Sequence, residues 1–183
     1  CLAGRCEFTV SEDNYCYIDG GLTSLSAQMV EGRFCYPAGF YRGCELYIFP
    51  PLFTAETHAA EQLLELDLTA LRSRYLHSMI CTTPQELMIL WDDLYKAMQT
   101  AALGAVRLRT LAVLHWLYTH KTLPQNSSQY LTRTQSLLAK RLEEELTRDL
   151  SRRVAVHTVA AALGVGETSL KNYFRSVYGV NVS

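Results

Sequence analysis

The segment Thr158-Val-Ala-Ala-Ala-Leu-Gly-Val-Gly-Glu-Thr-Ser-Leu-Lys-Asn-Tyr-Phe-Arg-Ser-Val-Tyr-Gly179 decides how the rear of this chain folds. It breaks at Gly164-Val165-Gly166. Ahead of the break, Val156 to Leu163 reads as a short helix whose small Ala160, Ala161 and Ala162 permit close helix approach. Behind it, Glu167 to Tyr178 places Leu170, Phe174 and Val177 at helical spacing and stops at Gly179, a residue suited to a helix C-terminus. Two short helices around a glycine-containing turn are helix-turn-helix grammar. The same spacing leaves Thr168, Ser169, Lys171, Asn172 and Arg175 at or near the open side of the second helix.

Upstream, Thr132 to about Leu150 predicts one amphipathic helix, with Leu137, Leu138, Leu142, Leu146 and Leu150 along one side. Residues 122–130 include Pro124, Gln125, Asn126 and Ser127 and read as a linker. The charge changes sign there. From Leu131 onward eight Lys or Arg stand against five acids, so +3. The first 130 of the 183 residues carry nine bases and thirteen acids, so −4, and the whole chain comes to −1. An acidic front and a basic rear predict parts with different partners.

Residues 1–53 have β composition. Cys6–Val10, Tyr15–Ile18 and Glu45–Phe49 are strand-like runs, and Ser11-Glu12-Asp13-Asn14 is turn chemistry. Residues 54–121 read as helical. One stretch runs from Glu56 to Tyr75. A second starts at Thr83-Pro84, with Thr83 as cap, and lines up Leu87, Leu90, Trp91, Leu94, Tyr95 and Met98. A third follows Gly104 to about His120, with Leu108, Leu111, Leu114 and Leu117 in register. The predicted class is α+β: a β-rich N-terminal portion, then helices, then a C-terminal helix-turn-helix. The organisation is 1–121, then the 122–130 linker, then 131–183. The apolar faces within 84–120 need a partner surface, which a second copy of the chain could supply.

The quoted segment resembles the first helix-turn-helix of AraC/XylS-type transcriptional regulators. The matching points are Val159, Ala160, Gly164-Val165, Leu170, Phe174 and Gly179. The resemblance covers about a quarter of the chain. It implies a cupin-like sensor barrel in front, responding to a small-molecule effector, and double-stranded DNA as the partner of the rear. It implies that Thr168, Ser169, Lys171, Asn172 and Arg175 lie at the DNA. Of these, Lys171 could donate to guanine and Asn172 could pair with adenine. Arg152 and Arg153 are candidates for phosphate contact, as Arg175 also is. The sequence departs from the family at two caps, where Ala155 and Gly166 stand in place of Ser or Thr. Family members carry a second helix-turn-helix, whereas this sequence stops at Ser183 and begins at Cys1. The expectation is a fragment with a partial DNA-binding domain.

Catalytic signals are weak. His58, His77, His115, His120 and His157 form neither a His-x-His nor a His-Glu-x-x-His pattern, so no metal or cofactor is expected. Asp92-Asp93 are adjacent and would diverge on a helix. Cys1, Cys6, Cys16, Cys35, Cys44 and Cys81 lack Cys-x-x-Cys spacing and read as reduced thiols in a cytoplasmic protein. The aromatic-rich front (Tyr15, Tyr17, Phe34, Tyr36, Phe40, Tyr41, Tyr47, Phe49) reads either as β-core filling or as the lining of an effector pocket. No apolar run is long enough to span a membrane. A non-enzymatic regulator is therefore the expected class. The alternative is a ligand-binding or interaction module whose helix-turn-helix only packs.

Overall fold

The computed structural model describes residues 1–27, 34–77, 79–124 and 130–182. The architecture is mixed α+β, with most strands first and helices after them. Most of the 122–130 segment, namely 125–129, lies outside the described residues. Two compact units form. One comprises Cys1–Ala3, Gly20–Met29 and Arg42–Asn126; the other comprises Gly4–Asp19, Val30–Tyr41 and Ser127–Ser183.

In the second unit, strands β1 (Ala3–Ser11) and β2 (Asn14–Asp19) form the hairpin that the Ser11–Asn14 turn chemistry predicts. Their register sets Arg5 opposite Asp19, Cys6 opposite Ile18, Glu7 opposite Tyr17 and Phe8 opposite Cys16. Successive side chains of a strand point to opposite faces. Arg5, Glu7, Tyr17 and Asp19 therefore share one face, while Cys6, Phe8, Cys16 and Ile18 share the other. Composition groups this hairpin with the rest of the front, but the structure groups it with the C-terminal helices. The reason is chemical: its polar face binds side chains and a carbonyl 119 to 171 positions away in sequence.

Those partners sit on helices whose ends the sequence sets. Thr132 caps the helix Arg133–Thr147 in a reciprocal capping box with Gln135. Just before it, Tyr130–Thr132 adds a short strand antiparallel to β2. The buried side of this helix is Ser136, Ala139 and Leu142. Leu137 and Leu150, expected on the apolar side, are exposed; the helix turns a small and a polar residue toward the hairpin instead. The Tyr17 hydroxyl donates to Glu7 Oε2 (2.6 Å) and lies 2.8 Å from Ser136 Oγ. A phenol has one proton, so Ser136 must donate back to it. Lys140 Nζ donates to the other Glu7 oxygen (2.8 Å). Glu7 is 3% exposed and Arg5 likewise 3%. Arg5 pairs with Asp19 and donates to the Ser176 carbonyl.

The first unit pairs two short strands, Leu22–Leu25 and Met79–Thr82, antiparallel. Its core comprises Leu66, Leu71, Leu87, Leu94, Val113 and Leu117, among others. Several expectations are corrected here. Glu45–Phe49 is no strand: Cys44, Leu46 and Ile48 do turn toward the core in alternation, but the segment joins no ladder among the described residues. The single helix expected over Glu56–Tyr75 is two, Ala55–Leu63 and Leu68–Arg74. Asp67 caps the second of these, accepting from Ala70 N at 2.7 Å, so the helix restarts there. Thr83 does not cap the next helix, Gln85–Gln99. Its hydroxyl instead meets that of Thr23 at 2.8 Å, inside the unit. The last helix, Leu103–Thr119, starts ahead of Gly104.

Removing the Tyr17 hydroxyl leaves two buried oxygens each short of a partner. Tyr17→Phe should destabilise the fold by about 1–3 kcal/mol, read as a lower denaturation midpoint; an unchanged midpoint would refute the network's role. Burial, reinforced by the hydrogen bond to Glu7, pushes the Tyr17 phenol above its ordinary range. A folded value above the unfolded one, about 10, means that the stability is complete below that pH and is lost as pH rises past it. The denaturation midpoint should thus fall on the alkaline side, and fall less steeply in Tyr17→Phe.

Candidate nucleic-acid interface

Number the three C-terminal helices α5 (Arg133–Thr147), α6 (Val156–Ala162) and α7 (Glu167–Tyr178), following α1 to α4 of the first unit (Ala55–Leu63, Leu68–Arg74, Gln85–Gln99, Leu103–Thr119). Between α6 and α7 the chain reverses at Gly164, with φ +68°. Gly164 N donates to Ala161 O and Val165 N to Ala160 O, at 3.2 and 3.0 Å. This pair of bonds is the Schellman motif, which wants a residue free of Cβ strain in the left-handed region. Neither Ala155 nor Gly166 supplies a side-chain cap, as their identities require.

The inner sides of α5, α6 and α7 close over Leu142, Val156, Val159, Ala160, Leu170 and Phe174. Val177 joins Tyr17, Leu131 and Ala139 in an adjoining cluster. The C-terminus of α7 is held at Gly179, with φ +75°. A Cβ there would stand 3.2 Å from the Arg5 guanidinium, which occupies that space to reach the Ser176 carbonyl. A cation at the negative end of a helix is favourable.

With its apolar stripe turned inward, α7 presents the remaining side outward. Thr168, Ser169, Lys171, Asn172 and Arg175 are all exposed, as are Arg152 and Arg153 in the segment between α5 and α6. The five are thus brought onto one helix at its open side. Lys171 is engaged, however: its Nζ lies 2.6 Å from Glu167 Oε1, one helical turn back. The hydrogen bond from Lys171 holds the Glu167 carboxyl below the usual carboxylate range, and His157 on α6 adds to this. Glu167 does not figure among the residues expected at this face. The i,i+4 spacing of Glu167 and Lys171 is the sequence signal that marks it.

The other candidate features are less organised. The front aromatics neither fill a core nor line a pocket as a set. Tyr17 is buried, but Phe34, Tyr36, Phe40, Tyr47 and Phe49 are 43 to 65% exposed. An open groove of about 620 Å³ in the first unit is lined instead by His58, Glu61, Glu65, Asp67, Thr69 and Tyr118, among others. Among the described residues no group of three His, Cys, Asp or Glu is placed to hold a metal ion. Nor is any described helix long and apolar enough to cross a membrane. Burial, with a smaller contribution from Cys6, pushes the Cys16 thiol up to about 12.

Comparison with family models, with curated proteins and with solved structures finds no match to this chain.

The thiol environments are directly testable. At pH 8, a thiol with a pKa near 12 is ionised in roughly one molecule in ten thousand. In the native protein Cys35, which is exposed, should be alkylated by iodoacetamide well before Cys16, with the two read separately by peptide mass spectrometry. Equal rates would contradict the burial of Cys16.

Proposed function

We propose that the protein is a sequence-specific DNA-binding transcriptional regulator of the AraC/XylS type, acting in the cytoplasm and responding to a small-molecule effector. The observation that carries the proposal is the two-sidedness of α7. Leu170, Phe174 and Val177 are buried, while Thr168, Ser169, Lys171, Asn172 and Arg175 remain exposed behind a tight Gly164 turn. That polar side is left uncovered and is available to a partner. In this reading α6 and α7 form a helix-turn-helix, and the N-terminal part of α7 enters the major groove. Asn172 pairs with adenine. Arg152, Arg153 and Arg175 neutralise phosphates, fixing register without reading bases. The β-rich front, of the cupin-like plan that the resemblance implies, senses the effector.

Homodimerisation through residues 84–120 belongs to the same reading. It is supported by apolar side chains left outside on α3 and α4: Ile89 at 54%, Met98 at 49%, Leu103 at 62% and Leu108 at 60% exposed. Each is an apolar side chain outside the core that an interface between two copies would cover.

Two measurements test this. Affinity for duplex DNA should fall steeply between low and moderate salt. Arg175→Gln should weaken binding about evenly across sequences and flatten the salt slope by about one unit. Binding that does not respond to salt would exclude the DNA-reading role. Sedimentation should give a dimer that Leu108→Asp converts to monomer; a wild-type monomer at all accessible concentrations would exclude the α3–α4 interface.

A further inference from the structure

Glu167 is an acid on the face proposed to meet a polyanion, which needs a reason. It lies in the first turn of α7, where a carboxylate suits the helix dipole. Its ion pair with Lys171 joins side chains 43 and 45% exposed. Surface pairs of this kind add little to stability. The pair therefore re-aims cheaply, and it presents outward an acceptor and a donor 2.6 Å apart. A carboxylate can only accept, and an ammonium can only donate.

The major-groove edge of a C·G pair is the complement of that couplet. Guanine offers the N7 and O6 acceptors side by side, and the cytosine N4 donor adjoins O6. On an A·T edge the adenine N6 donor separates the two acceptors N7 and O4, and thymine adds a methyl group. An ammonium can cover two adjoining acceptors only in the first pattern. We propose that Glu167 and Lys171 together read one C·G base pair, Glu167 accepting from cytosine N4 and Lys171 donating to guanine O6 and N7. The inference rests on the DNA-reading role proposed above and adds the base pair and a second reading residue. The couplet carries no net charge, so it contributes selectivity, while Arg152, Arg153 and Arg175 supply the attraction to phosphate. Asn172, beside Lys171 on the exposed face, is left for an adjacent adenine.

The test selects duplexes with a randomised central segment against the full chain at two salt concentrations. Wild type, Glu167→Gln, Glu167→Ala and Lys171→Gln are run in parallel, with circular dichroism confirming that each folds. Wild type should enrich C·G at one position. The Gln amide suits adenine N6 and N7, so Glu167→Gln should move that position toward A·T, changing relative affinity on the order of ten-fold. Glu167→Ala should lose the preference without acquiring another. The couplet is overturned if Glu167→Gln leaves every positional preference intact while Lys171→Gln alters one. It is equally overturned if wild type enriches C·G nowhere. If wild type retains no duplex in a salt-dependent way, the DNA-reading role itself fails, and the couplet with it.

Discussion

A guanidinium inside a β-strand is the constraint around which the second unit is built. Arg5 is all but inaccessible, and a buried cation without partners is strongly destabilising. It offsets this through its two terminal nitrogens, pairing with Asp19 across the hairpin and donating to the Ser176 carbonyl near the end of α7. The Tyr17 ring lies 5.4 Å from its guanidinium carbon and adds a cation–π contact. Asp19 pairs across the hairpin, Ser176 ties down the end of α7, and the guanidinium stands 3.2 Å from where a Gly179 Cβ would lie. On the next rung of the same strand face, Glu7 does the same for α5 through Tyr17, Ser136 and Lys140. Two helices distant in sequence are thus clamped to one hairpin by polar bonds that tolerate little slippage.

Polar clamps differ from apolar packing in what they specify. Apolar contacts accept small rotations of a helix, whereas a buried carboxylate that loses Lys140 or Tyr17 bears the whole desolvation penalty. The orientation of α7 about its own axis is set by its apolar stripe against α5 and α6, and its end is tied to the hairpin by the Arg5 bond to the Ser176 carbonyl. That orientation decides which side chains stay outside. Under the proposed reading such a scaffold serves recognition, because selectivity between base pairs depends on sub-ångström placement of a few donors and acceptors.

The local grammar of the rear is legible from single residues. The glycine break, the 3–4 spacing of Leu170, Phe174 and Val177, and the Thr132 cap all act over a few positions, and the helices lie where those signals place them. The hairpin turn is legible for the same reason. What escapes the sequence is long-range. Nothing near Arg5 or Glu7 indicates that Ser176, Ser136 and Lys140 are their partners, so strand composition alone groups the hairpin with the rest of the front. The apolar side of α5 is misread because Leu137 is the larger hydrophobe, yet Ser136 is the one with a partner. Thr83 looks like a cap until Thr23, sixty positions earlier, claims its hydroxyl. At the candidate site, exposure of the five polar residues follows from periodicity. The involvement of Glu167 follows only once its i,i+4 relation to Lys171 is seen as a geometric couplet.

Under the proposed reading, the two ends of α7 divide the work. Its C-terminal end is tied down by a buried charge and carries the exposed Arg175 for phosphate. Its N-terminal end begins at Gly166, without a side-chain cap, and carries an ion pair of near-zero net charge. Attraction to a polyanion falls off within about 10 Å at moderate salt and does not distinguish base pairs. A neutral donor–acceptor couplet does the opposite: it adds little at a distance and discriminates only on contact. Placing the net positive residues, Arg152, Arg153 and Arg175, away from that first turn separates capture from reading. Sequence preference can then change by substitution at Glu167 or Lys171 without disturbing either the hairpin clamp or the electrostatic pull.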